Sequence, residues 1–106
     1  SETGKITEKG DTVEIDMIAI RSHYDPEIIE VRKGKQILWN LTNLERTYDA
    51  THGFALPAYN ITSSIEAGET VTLDFVANQE GVFPFYCTEF CSALHLEMAG
   101  YFLVKP

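Results

Sequence analysis

The residues best suited to chemistry stand together near the C-terminus, in Cys87-Thr88-Glu89-Phe90-Cys91-Ser92-Ala93-Leu94-His95-Leu96-Glu97-Met98. Both cysteines of the chain lie in this stretch, and a histidine and a methionine follow at short spacings. Thiolate, imidazole and thioether make a soft donor set, which favours copper, and Cu(I) in particular, over hard cations such as Mg²⁺ or Ca²⁺. A single cysteine followed by His95 and Met98 would suit a mononuclear blue-copper centre with a weak axial thioether. The second cysteine changes the chemistry, because two thiolate sulfurs can each bridge two metal ions and hold a compact two-copper core. Such a core needs terminal ligands on each copper. His95 and Met98 supply two, and a further histidine must come from elsewhere. The candidates are His23, in a turn over 21–26, and His52, which Gly53 and Phe54 follow; pattern alone gives His52 a modest preference.

Donors on a free loop would be poorly fixed, so the elements at either end of the stretch matter. Residues 82–87 read as an aromatic-rich strand leading into Cys87, and 99–104 as a last strand directly after Met98. Residues 12–20 alternate apolar and polar and then turn continuously apolar, as a strand entering a buried environment would. Strands are also expected at 28–31, 36–42, 61–65 and 70–76, with a hairpin through Gly34 joining the second to the third. The segment 43–60 is mixed in composition and expected as a loop. Seven or eight short strands at this spacing predict an all-β Greek-key sandwich or barrel.

At 106 residues the chain fits one domain spanning 1–106, with 1–10 expected as a flexible or linker-derived segment. Hydrophobic residues make up 44% and charged residues 23%, enough for a real core. No apolar run approaches the roughly 20 residues of a membrane span. Ser1-Glu2-Thr3-Gly4-Lys5 has neither an initiator methionine nor a signal-peptide pattern, so a mature product or an excised domain is expected. A net charge of −8 argues against nucleic acid and anionic lipid and suits either a basic protein partner or simple solubility. A Cys87–Cys91 disulfide would close too short a loop to stabilise much.

The loop Cys87-Thr88-Glu89-Phe90-Cys91-Ser92-Ala93-Leu94-His95-Leu96-Glu97-Met98 resembles the binuclear CuA loop, C-x-x-x-C-x-x-x-H-x-x-M. That loop belongs to subunit II of haem-copper cytochrome oxidases and to the C-terminal domain of nitrous-oxide reductase. Phe90 and Ala93-Leu94-His95-Leu96-Glu97-Met98 are closer to the reductase, as are Asp49-Ala50-Thr51-His52-Gly53-Phe54 and Ala19-Ile20-Arg21-Ser22-His23. The resemblance runs from about residue 13 to residue 106. Glu89 stands where many nitrous-oxide reductases have tryptophan, as it does in the oxidase subunits.

The resemblance implies a cupredoxin-type fold and a mixed-valence centre of two copper ions. Cys87 and Cys91 become the bridging thiolates, and His52 and His95 the terminal imidazoles. Met98 becomes a weak thioether ligand and the backbone carbonyl of Glu89 a weak oxygen ligand, to which the Glu89 side chain is indifferent. Such a site passes single electrons and makes no bonds, so no catalytic residue is expected. The implied donor is a cytochrome c or a small cupredoxin. The implied acceptor is the catalytic copper cluster of nitrous-oxide reductase, carried in the family on a separate propeller domain; this chain alone should therefore not reduce nitrous oxide. A periplasmic location, or the outer face of the cytoplasmic membrane, follows from the same resemblance.

Alternatives are an oxidase subunit II domain and a zinc- or disulfide-stabilised binding module. Zinc gives no reason for Met98, and a copper chaperone would need a more exposed, exchangeable site. Trp39 reads as a large core residue. Phe83, Phe85, Tyr86 and Phe90 are expected to shield the metal, and Glu45, Asp49 and Ser22 are candidates to orient a ligand histidine by hydrogen bonding.

Overall fold

Alternation along the chain becomes two facing sheets in the computed structural model, which describes residues 3–20, 23–46, 51–88 and 98–106. The strands are β1 (Lys5–Lys9), β2 (Thr12–Ile20), β3 (His23–Asp25), β4 (Ile28–Arg32), β5 (Gln36–Asn43), β6 (His52–Leu56), β7 (Ile61–Ile65), β8 (Thr70–Val76), β9 (Gly81–Tyr86) and β10 (Ala99–Lys105). One sheet has the order β1-β2-β5-β8, with β3 pairing the end of β2; the other has the order β4-β10-β9-β6-β7. The pairs β2–β5 and β4–β10 are parallel and the rest antiparallel. An all-β sandwich is what the turn spacing predicts.

Every second residue of the long strands points inward. Val13, Ile15, Met17 and Ala19 of β2 and Ile37, Trp39 and Leu41 of β5 face Ile29, Val31, Phe54, Leu56, Phe85, Phe102 and Val104 of the other sheet. Trp39 is the centrepiece, as a core reading predicts: it is fully buried, with ring centroids 5.2 Å from Phe54 and 5.4 Å from both Phe85 and Phe102. Tilted and edge-to-face rings of this kind add about 0.5–1.5 kcal/mol per pair beyond the area they bury.

Three expectations change. Residues 1–10, expected as flexible, hold β1, whose Lys5–Lys9 pairs with the first half of β2. Its side chains are mostly exposed, so backbone bonding makes the strand and leaves no apolar alternation to read. The turn at Gly34, with φ 95°, closes no hairpin: it carries the chain from β4 in one sheet to β5 in the other, where β5 pairs in parallel with β2. Both flanking strands bury a face of the same core, and each does so from its own sheet. The expected loop 43–60 contains β6, buried at every position. Gly53 and Ala55 occupy its outward positions, so a polar alternation never appears.

Candidate metal centre

The inward-facing lines of three strands run out at the same end of the sandwich, and each runs out on a donor. On β6 the line is Leu56, Phe54, His52. On β9 it is Phe83, Phe85 and then Cys87, just past the strand; on β10 it is Phe102, Gly100 and then Met98, just before it. The donors are thus continuations of the hydrophobic core. His52 is 0% exposed, Met98 1% and Cys87 3%.

Pairing in the second sheet brings them together. Tyr86 lies opposite both Ala55 of β6 and Ala99 of β10. The β9–β10 ladder continues one step further, where the Cys87 N–H donates to the Met98 carbonyl at 2.9 Å. The His52 ring hydrogen-bonds the Cys87 side chain. Its Nε2–H donates to Glu45 Oε2 at 3.0 Å, which makes Nδ1 the unprotonated nitrogen of the neutral ring. Glu45 is only 13% exposed in its side chain. A carboxylate on the far nitrogen fixes the tautomer and orientation of a ligating imidazole and raises its basicity. Of the three residues expected to orient a histidine, Glu45 does so; Asp49 and Ser22 lie outside the described residues.

Electrostatics follow from the packing. Burial draws the His52 imidazole downward, but hydrogen bonds to Cys87 and Glu45, with the charge of both, outweigh it and hold the ring above its ordinary value. The strand beneath is held as well. Tyr24, fully buried on β3, reaches across from the other sheet and donates its hydroxyl to the Gly53 carbonyl at 2.5 Å. Phe54 and Phe85 pack beneath the donors, with centroids 5.5 Å apart. Tyr86, expected as shielding, is 42% exposed and faces outward instead.

Of the six candidate ligands, the structure brings His52, Cys87 and Met98 to one place. Glu89, Cys91 and His95 lie outside the described residues, as does Phe90. Among the described residues alone, no group of three or more His, Cys, Asp or Glu is spaced to hold a metal ion. The rival histidine, His23, is exposed on β3. A buried thiol beside a buried imidazole, with a thioether sulfur at the next step of the ladder, fits a soft metal and offers little to a hard one. Sequence reasoning missed Tyr24 and Asn43. Asn43 left a trace, since it stands at an inward position after Ile37, Trp39 and Leu41; nothing in the sequence singles out Tyr24.

Comparison with known proteins agrees with this geometry. Residues 3–104 match the model of the cupredoxin-like domain. The chain is 37% identical to nitrous-oxide reductase of Ralstonia nicotianae over 100 residues, which cover 94% of this chain and 16% of that protein. It is 29% identical to cytochrome c oxidase subunit 2 of Thermus thermophilus, over 84% of this chain and 63% of that one. The fold superposes on the periplasmic domain of subunit II of cytochrome oxidase of Bradyrhizobium japonicum with a TM-score of 0.71, at 20% identity, covering 86% of this chain and 82% of that one. The chain therefore spans about a sixth of the reductase that it matches. Inward-facing strands that end in a histidine, a cysteine and a methionine at one pole of a two-sheet sandwich, together with the match over 3–104, make this chain a member of the cupredoxin-like domain family.

Proposed function

We propose that the chain is an electron-transfer domain with a binuclear, mixed-valence CuA centre, serving as the domain through which electrons reach a nitrous-oxide reductase. The observation that carries this reading is the meeting of His52 and Cys87 beside Met98 at the buried end of the core. Cys87 and Cys91 would bridge the two coppers, with His52, His95, Met98 and the Glu89 carbonyl completing the set. When bound, the copper pair supplies one electron shared over two metals and two sulfurs, so little rearrangement accompanies its transfer.

The protein's part is to hold, orient and keep dry. Glu45 holds the hydrogen of His52 on Nε2 and so would leave Nδ1 as the nitrogen that ligates copper. Phe54 and Phe85 fill the space beneath the donors and exclude water. The Cys87–Met98 backbone bond ties two donor-bearing strands together. Filling every position with a protein donor leaves no place for substrate, in contrast to an open catalytic metal site. The chain therefore moves electrons and performs no bond chemistry of its own. A net charge of −8 favours a basic donor, such as a cytochrome c, or a small cupredoxin, by steering the encounter. The acceptor would be a catalytic copper cluster outside this chain, and the setting periplasmic. Among the described residues no helix is long and apolar enough to cross a membrane.

A second reading, a subunit II domain of a haem-copper oxidase, is favoured by Glu89 between the cysteines and by the Thermus thermophilus relative. It changes the partner and leaves the site as it is. The test of both is the visible and EPR spectrum of the copper-loaded protein. One electron shared over two coppers gives more hyperfine lines than a single copper can, and Cys91→Ser should abolish that pattern. A mononuclear spectrum from fully loaded wild-type protein would overturn the binuclear reading, and exclusive zinc binding would overturn the copper reading.

A further inference from the structure

We propose that Asn43 is a positioning residue for the metal centre, its one side-chain amide holding both the Glu45 backbone and the strand that pairs with His52. The proposal rests on the copper reading in that His52 is taken as a ligand.

Asn43 closes the inward-facing line of β5, after Ile37, Trp39 and Leu41, and is fully buried. A primary amide in that place costs free energy unless its polar atoms find partners. They do. Nδ2 donates to the Ile65 carbonyl and Oδ1 accepts the Glu45 N–H, both at 2.9 Å. The backbone is held as well: the Asn43 N–H donates to the Glu69 carbonyl at 2.9 Å, and its carbonyl accepts from the Gly68 N–H at 2.8 Å.

Both side-chain partners lead to His52. Ile65 is the residue paired with His52 in the β6–β7 ladder. Glu45 is the residue whose carboxylate accepts the His52 Nε2–H. One amide therefore approaches the imidazole by two routes, through the neighbouring strand and through the carboxylate that orients the ring. The residue type follows from this double duty. Leucine would fill the space and make neither bond. Serine could still accept the Glu45 N–H, since hydroxyls form the same local turn more weakly, but would lose the amide's reach to Ile65. Only a side chain with a donor and an acceptor side by side serves both partners.

The metal-free test is the exchange of the His52 Nε2–H with water, followed in ¹⁵N-labelled protein by NMR. Asn43→Ala should speed this exchange about tenfold, the equivalent of roughly one lost hydrogen bond, whereas Asn43→Ser, which keeps the Glu45 bond and loses the Ile65 bond, should fall clearly between alanine and wild type. Both variants lose the Ile65 bond and leave a cavity, so a purely structural role would move them together. In the copper-loaded protein, Asn43→Ala should weaken copper binding about tenfold, as the loss of a residue orienting a ligand does. In a Glu45→Ala background the same change should weaken binding by clearly less than tenfold, because the Glu45 route is already cut and only the Ile65 route is left to lose. If Asn43→Ala does not fold, Asn43→Val removes both polar atoms with less loss of volume. The proposal is overturned if alanine and serine variants exchange alike, or if the effects in the two backgrounds simply add. Should the wild type take up no copper, the copper reading falls, while the exchange measurement still decides what Asn43 does to His52.

Discussion

Tyr24→Phe removes an inter-sheet hydrogen bond beneath the site. The tyrosine hydroxyl is fully buried and donates to the Gly53 carbonyl at 2.5 Å, one residue from His52. Phenylalanine keeps the ring and its edge-on contacts to Phe54 and Phe85, at 5.9 Å and 5.7 Å, so no cavity opens. The change withdraws a donor from a buried carbonyl, and leaving a buried acceptor short costs about 1–3 kcal/mol. For a domain of this length, 1 kcal/mol lowers Tm by roughly 4–8 °C, and a total stability of about 5–15 kcal/mol leaves the variant folded at 25 °C. Equilibrium urea unfolding of metal-free wild type and variant, at equal m, gives the difference directly. Tyr59→Phe is the internal control. Its hydroxyl bonds the backbone of Gln79 at 2.9 Å and 3.1 Å, but in an exposed setting where water can take over, so the expected loss is under about 0.5 kcal/mol. Equal losses in the two variants would refute the claim that burial makes the Tyr24 bond valuable.

Two further outcomes follow from the geometry. A methyl group on Gly100 would fall on the Glu27 carbonyl oxygen and 2.5 Å from the Phe85 ring; Gly100→Ala should cost about 3 kcal/mol by overpacking, against about 1 kcal/mol for Gly34→Ala, where only the positive φ resists, both read from urea midpoints. In the metal-free protein His52 titrates above its ordinary value. A raised folded-state value means that its contribution is complete below the unfolded value of about 6.5 and is lost as pH rises through the folded one. The unfolding free energy should accordingly fall as pH rises from about 6.5, and Glu45→Gln should flatten that fall; a Glu45→Gln profile parallel to wild type would remove Glu45 as a cause.

The sequence made the long strands legible because their burial is one-sided. Residues 70–76 alternate cleanly, and a strand appears where the alternation lies. β6 stayed hidden for the opposite reason: at His52–Leu56 every position is buried, so no polar beat marks it as a strand. Sheet membership was equally invisible at Gly34, since a glycine turn reads alike whether it closes a hairpin or crosses between sheets. That Cys87 and Met98 lie close together could be read from spacing, because they flank one loop between paired strands. That His52 lies against Cys87 could not, since their proximity arises from β6 pairing with β9 across a long stretch of chain. Asn43 and Tyr24 act through backbone carbonyls, and a carbonyl leaves no mark in a sequence.

The place of β10 fixes the order in which the pocket can be built. It is inserted between β4 and β9, and β4 has no other strand partner among the described residues. Until the last strand arrives, the second sheet is in two pieces and Met98 has no ladder step to occupy. A chain emerging from the ribosome exposes Cys87 before the strand beside it is in place, since long-range pairing of this kind forms late. On the copper reading, metal delivered at that moment would meet an unguarded Cys87 thiol, whereas metal delivered afterwards would meet a sheet already complete. The same reading then puts metal loading after synthesis and calls for protection of the Cys87 thiol in the interval.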